Sequence, residues 1–549
     1  MAVNVRRALP TWRDRAGIRL LSSVDHKDVG ALYLALGLGI LTVAGLSGLL
    51  LAFDLDHAPF GLLDGFAHRQ LALLQSTALL YGVGIPLALG LACYIVPLQV
   101  GAPRIAFPQL NAIGLWLVVG GGLLLITSPA AGNAEALNAD LPETLAGPLS
   151  SQGRQFFALG VLLVAVGSSI TVTSVLATIA RLRAPDMVAA RVPVFTWAVG
   201  LFSLAVVAAG IVMGVISATF LIDAGAADLF AFDVTSVDGG QVAFYGHIPG
   251  VWFFGHPLLY ALLIIVAGVI SEIVRAFARG RTSGRSAMVA GLIGLTVLSF
   301  ALSLYHLIAD VYSASFDLSI PLAAFVAMIA MGVCALGWLV TLRGARVNVQ
   351  PPLVLALVAV AILLVGTILG LALGFVGDFK DSSSYHLTAL FGGTVGGATI
   401  AALLAGLHYW FPKITGRALD ARGAWLQVAL VSTGLALGLV GQYIVGESNI
   451  NRGASSELSA GWSSGGKVGA AFALAGFLLV FFALAGFLAE SVKSLMSGRR
   501  VGNDPWSADT LEWFTSSPPP AENFDRLPAI RSARPLAELR ARAGRPRAH

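Results

Sequence analysis

The residues whose types and spacing could do chemistry lie in the stretch VWFFGHPLLY at 251–260. A His-Pro pair and a Tyr sit there inside a long apolar run. His256 and Tyr260 are four residues apart, so a helix puts them on one face. A second apolar run carries the adjacent pair Tyr305 and His306. Polar side chains inside a membrane span are costly and mark function by default, and imidazole is a ligand that suits copper. Two imidazoles and a phenol on neighbouring helices would be the makings of a metal site. The competing reading is a pair of neutral histidines hydrogen-bonded between helices.

Composition says what must hold these residues. Of 549 residues 57% are hydrophobic and only 11% charged, which fits a polytopic membrane protein and excludes an ordinary soluble domain. A net charge of +5 is too small to argue for nucleic acid as a partner; the lipid bilayer is the partner the composition demands. The two cysteines, Cys93 and Cys334, both lie in apolar runs and are too few for a disulfide framework or a thiolate centre. The basic N-terminus lacks the apolar core of a signal peptide and reads as a cytoplasmic arm.

Runs long enough to cross a bilayer fall near 30–53, 71–99, 111–130, 155–180, 193–223, 247–275, 287–308, 318–342, 353–377, 386–411, 424–446 and 467–492. The fold expected is therefore all-α, a bundle of about twelve transmembrane helices over 30–492. It is flanked by an N-terminal arm at 1–29 and a C-terminal tail at 493–549. Loop charges alternate. One set carries Arg104, Arg181 with Arg183, Arg275 to Arg281, Arg343 with Arg346, and Lys413 with Arg417; the other carries Asp54, Asp56, Glu135, Asp140, Asp223 and Asp233. The positive-inside rule puts the first set and both termini in the cytoplasm.

WFFGHP followed by a Tyr resembles the copper-ligand helix of subunit I of the haem-copper respiratory oxidases. The resemblance extends through SSVDHKDVG at 22–30, VPLQVGAPRIAFPQLN at 96–111, YWFPKITGR at 409–417 and NDPWSADTLEWFTSSPPPAENF at 503–524. It implies a subunit I-like bundle, two haems and copper, other oxidase subunits as partners, and proton paths into the interior. It makes His256 and His306 the copper remnant and Tyr260 the site phenol. Against the same pattern several positions are changed. Counting from Pro86 and Pro97 puts the second-helix haem donor on Gln75, and counting back from Trp410 puts the tenth-helix donors on Leu390 and Gly392. The proton-path positions fall on Arg104, Leu258 and Cys334. An Arg expected near the end of the first helix is Asp54, and of a propionate-clamping Arg pair only Arg452 is nearby.

Haem iron in this family takes neutral imidazole nitrogen, so the expectation from these positions is no cofactor: no haem in the family's usual manner, and copper held weakly at His256 and His306 if at all. His386, one turn before Leu390, and His68, two turns before Gln75, are the imidazoles a displaced haem would use. His26, His57, His247 and His408 read as loop or interface residues, and His549 as part of the tail. The glycines at 392–397 read as close helix packing. Three functions follow: a non-catalytic subunit I homologue with a structural or interaction role, a terminal oxidase reducing oxygen with electrons from cytochrome c or quinol while pumping protons, and a transporter using the interior. The alternating loop charges also set a topology, in which reporters fused at residue 140 or 235 register outside the cytoplasm and fusions at either terminus register inside.

Overall fold

The structure, a computed structural model, describes residues 18–56, 63, 65–131, 151–226, 251–279, 284–312, 319–376, 386, 388–447 and 464–543. Its long helices are α1 (His26–Asp56), α2 (Gly65–Thr77), α3 (Ile85–Gln99), α4 (Pro108–Thr127), α5 (Ser151–Ala177), α6 (Val194–Ala226) and α7 (Val251–Phe277). They continue as α8 (Arg285–Tyr312), α9 (Ser319–Leu342), α10 (Pro351–Val376), α11 (Gly397–Thr415), α12 (Ala421–Gly446) and α13 (Ser464–Ser497), with the short α14 (Pro535–Ala543) in the tail. Among the described residues eleven helical stretches are long and apolar enough to cross a membrane. The twelfth expected span coincides with α8, whose described apolar part is Arg285–Ala301. The all-α membrane bundle expected from the apolar runs is what forms. A two-residue antiparallel ribbon, β1 (Ala278–Arg279) on β2 (Arg346–Val347), is a small addition between spans.

Three stretches are not wound as the apolar runs imply, the shortest being the π-helical Thr178–Leu182 that ends α5. A π-helical segment, Ala78–Gly84, joins α2 to α3, and another, Thr388–Gly396, leads into α11. A π turn carries an extra residue, so the chain's apolar faces rotate past the 3.6-residue period there. Elsewhere local chemistry sets the helix ends. Pro108 opens α4 behind Phe107, Asp420 caps α12 by accepting from the Gly423 amide at 3.1 Å, and Gly416 ends α11 at φ 72°.

Helices in lipid pack by close approach. α12 and α13 come together so tightly that a Cβ on Gly441 would stand 2.6 Å from the Gly469 carbonyl, and one on Gly476 the same distance from the Gly434 carbonyl. Glycines of the 392–397 cluster behave as expected, with Gly393 set against Leu439 and Gly397 against Leu435.

The tail is built into one end of the bundle. Lys413, fully buried, donates to the carbonyls of Thr515 (2.9 Å), Asn503 (3.2 Å) and Ser516 (3.3 Å) and lies 5.2 Å from the centre of the Trp513 ring. Trp506 and Trp513 donate to the carbonyl and the hydroxyl of Tyr409. Asn523 donates to the Ala102 carbonyl at 2.8 Å and accepts from Lys27 at 3.2 Å. The start of α1 and the tail therefore meet at the same end. Arg534 and Arg540 on Asp509 hold α14 in place. Replacing Lys413 with Ala strands several buried carbonyls. We expect a loss of about 1–3 kcal/mol, the scale for a deserted buried acceptor, seen as a lower melting temperature and as faster proteolysis within 503–524.

Candidate functional site

Tyr260 projects from α7 into a small apolar cluster with Leu263 and Leu298, and Leu258, two residues earlier, is buried in the main core. α7 packs on α8, which carries Tyr305 and His306. The side chains of His256, Tyr305 and His306 lie outside the described residues, so whether the two imidazoles converge is not part of this geometry. No group of three or more metal-binding side chains occurs among the described residues.

The positions counted as haem donors are all placed. Gln75 lies on α2 close enough to α1 that a Cβ on Gly48 would run into its amide nitrogen. Leu390 packs toward Gly370 of α10, where a Cβ would meet it at 2.9 Å, and Gly392 is exposed. Thr394 donates to the Leu390 carbonyl and fills the notch at Gly366. An amide, an isobutyl group and a hydrogen do not fit the axial set of a haem. Gln75 lies in the last turn of α2, before one π segment, and Leu390 and Gly392 lie inside the other.

The proton-path positions are equally plain. Arg104 is exposed on the link from α3 to α4, Leu258 is core, and Cys334 is fully buried with its thiol 3.5 Å from the Met288 carbonyl. Both cysteines are free.

Two imidazoles are held by carboxylates. His68 Nδ1 lies 2.8 Å from Asp54 Oδ2, both side chains at most 2% exposed, and the other Asp54 oxygen accepts from the Leu63 amide at 3.0 Å. His386 Nε2 lies 3.2 Å from Glu447 Oε1, with its ring edge-on to Tyr443. A carboxylate behind an imidazole fixes its tautomer and orientation. The interface reading of His26 and His408 holds, with burial in place of solvation. Both are buried inside the fold, His26 between the Cys93 carbonyl (2.8 Å) and Asn523 (3.1 Å), and His408 on Gln427 (2.8 Å). An apolar fold leaves buried imidazoles only such local partners, so they bond across helices. His57, His247, His549 and Arg452 lie outside the described residues.

The motif reading missed a buried polar network beneath the tail. Glu512, fully buried, accepts from Gln99 Nε2 at 2.9 Å and from the Trp410 indole at 3.4 Å; Thr196 donates to the Gln99 amide oxygen at 2.7 Å. Glu272 of α7, also buried, accepts from Thr510 at 3.3 Å. The signal was an acid at position 272 inside an apolar run and another within LEW. Neither could be paired without knowing how the tail folds back. Burial, and then the nearby Glu272 charge, push the Glu512 carboxyl up from 4.5 to about 7. Its folded pKa is raised, so its contribution to stability is complete below about pH 4.5 and lost as the pH rises through about 7. Melting temperature in detergent should fall across that window, and Glu512→Gln should flatten the fall; an unchanged slope would refute the assignment.

Comparison with known proteins gives these sites their setting. Residues 28–485 match the family described as Cytochrome C and Quinol oxidase polypeptide I. "Cytochrome c oxidase subunit 1" of Corynebacterium efficiens is 31% identical over 547 residues, covering 97% of this chain and 92% of that protein. The same-named protein of Bacillus subtilis is 30% identical over 523 residues, 94% and 82% of the two chains. "Heme-copper oxidase subunit I+III" of Aeropyrum pernix is 29% identical over 522 residues, 93% of this chain and 62% of that one. A solved heme-copper terminal oxidase dimer shares the fold at a TM-score of 0.62 and 15% identity, over 88% of this chain and 84% of that one. The expectation of no cofactor is overturned by these matches. They are to cytochrome c and heme-copper oxidases, and unsuitable donors at three counted positions do not amount to a loss of cofactor binding. The expectation rested on residue counts to Gln75, Leu390 and Gly392 alone, and the chain holds further imidazole donors such as His68 and His386. By the extent of the match the chain belongs to the cytochrome c and quinol oxidase polypeptide I family.

Proposed function

We propose that this chain is an integral plasma-membrane subunit of a respiratory oxidase-type complex, with a structural and subunit-organising role in place of oxygen reduction at the family's usual positions. The observation that carries this reading is the packing at those positions. Gln75 is set against Gly48, Leu390 against Gly370, and Thr394 into Gly366, so these side chains serve helix contact. Leu258 and Cys334, at two of the proton-path positions, are buried in apolar core and offer no carboxylate or amine to relay a proton. Other oxidase-type subunits are the partners this role requires, and both termini face the cytoplasm by loop charge.

A second reading has its own support. The relatives are named as oxidases over nearly the whole chain, and His68 and His386 are imidazoles already oriented by carboxylates. Under that reading the chain reduces oxygen with electrons from cytochrome c or quinol, and donors other than Gln75, Leu390 and Gly392 hold the iron. Haem would supply the redox and oxygen-binding chemistry; Asp54 and Glu447 would orient the two imidazoles.

An oxygen electrode and a reduced-minus-oxidised spectrum on purified protein, free of other oxidases, separate the two. The structural reading expects no cyanide-sensitive oxygen uptake, together with loss of the partner complex from membranes when the chain is deleted. Cyanide-sensitive uptake that falls at least about a hundredfold in His68→Ala or His386→Ala, the scale of losing an essential group, would establish the second reading.

A further inference from the structure

α7 ends, and α8 begins, on an arginine whose charge is poorly matched. Arg275, in the last turn of α7, is only 8% exposed, and its Nε and Nη1 have no hydrogen-bond partner among the described residues. Arg285, the first residue of α8, is half-buried; its Nε is also without a partner, while one terminal nitrogen donates to the Val192 carbonyl at 2.7 Å and more weakly to Ala189. Arg285 and Glu272, one turn before Arg275, both reach the start of α6, on the Val192 carbonyl and on the Phe195 amide at 3.5 Å.

The neighbouring acids do not neutralise the pair. Glu272 is one turn back on α7. Its two oxygens, however, accept from the Thr510 hydroxyl and the Phe195 amide, and no ion pair joins it to either arginine among the described residues. Asp509, the next acid, is tied to Arg534 and Arg540. Two guanidinium groups against one turned-away carboxylate leave one positive charge in excess. The carbonyl end of the α7 dipole offsets only a fraction of a buried cation, and burying an unpaired charge is among the costliest arrangements a fold can keep.

We propose that Arg275 and Arg285 form a binding site for a phosphate oxyanion at the end of the bundle that the loop charges place in the cytoplasm. Phosphate is the class that fits. Guanidinium groups present parallel N–H donors matched to its oxygens, and the unpartnered nitrogens are the donors such a ligand uses. The source nearest to hand is the headgroup of an anionic phospholipid, since basic pockets between transmembrane helices on this face take lipid phosphates; soluble phosphate offers the same oxygens.

The test is native mass spectrometry, with thermal melting alongside, on the full chain in neutral detergent, titrated with phosphatidylglycerol, phosphatidylcholine or inorganic phosphate. Wild type should bind phosphatidylglycerol in preference to phosphatidylcholine and melt higher with it. Arg275→Gln and Arg285→Gln should each weaken that binding about tenfold, and Arg285→Lys, which keeps the charge and loses the fork, should fall between. Arg343→Gln, at an exposed arginine on the same face, should leave it unchanged. If Arg275→Gln does not fold, the half-buried Arg285 series decides alone. Protection by inorganic phosphate that the Arg285 variants abolish would support the site with a soluble source. Equal binding of both lipids without an effect of phosphate, or arginine variants that bind like wild type, would overturn the proposal.

Discussion

A chain that crosses hydrocarbon must satisfy its own backbone N–H and C=O groups within each span, because no water is there to do it. Helical winding meets that demand. Once it is met, the remaining freedom is how closely helices approach and how they turn their faces. The glycines between α12 and α13 use the first freedom, placing backbone on backbone. The π segments Ala78–Gly84 and Thr388–Gly396 use the second. They keep the backbone bonded while displacing the face that follows. Both lie at positions where the family resemblance directs attention to donors. Backbone geometry, as much as side-chain replacement, therefore decides what these positions can offer.

That constraint also explains what could be read from the residues. Spans were legible because apolar length is a direct consequence of bilayer thickness, while the caps at Pro108, Gly416 and Asp420 became plain only in the structure. The tail was legible as a motif and illegible as structure. Nothing in NDPWSADTLEW says that Glu512 meets Gln99, more than four hundred residues away, or that Lys413 closes over Thr515. The site was the least legible part. A residue count reaches Leu390 and Gly392 inside a nine-residue π segment, and it says nothing of donors elsewhere in the chain. Three unsuitable side chains therefore did not carry the cofactor inference, while the resemblance across nearly the whole chain was a sound guide to the family.

The same residues look different when partners are considered together. Asp54 stands where the resemblance leads one to expect an Arg, which by itself reads as erosion. In the structure its two oxygens are taken up by His68 and by the Leu63 amide, so the inverted charge has a complete set of contacts. An isolated acid at that depth would be expensive, and one whose oxygens both find donors is a built feature. Gln75 and Leu390 make the same point in apolar terms, since the glycines opposite them leave room for their side chains. At Asp54, Gln75 and Leu390 alike, the side chain present has fitting neighbours. A chain that was merely losing its chemistry would keep the changes and lack the answers. The coordination of the two argues that this fold is maintained for a task its present side chains perform.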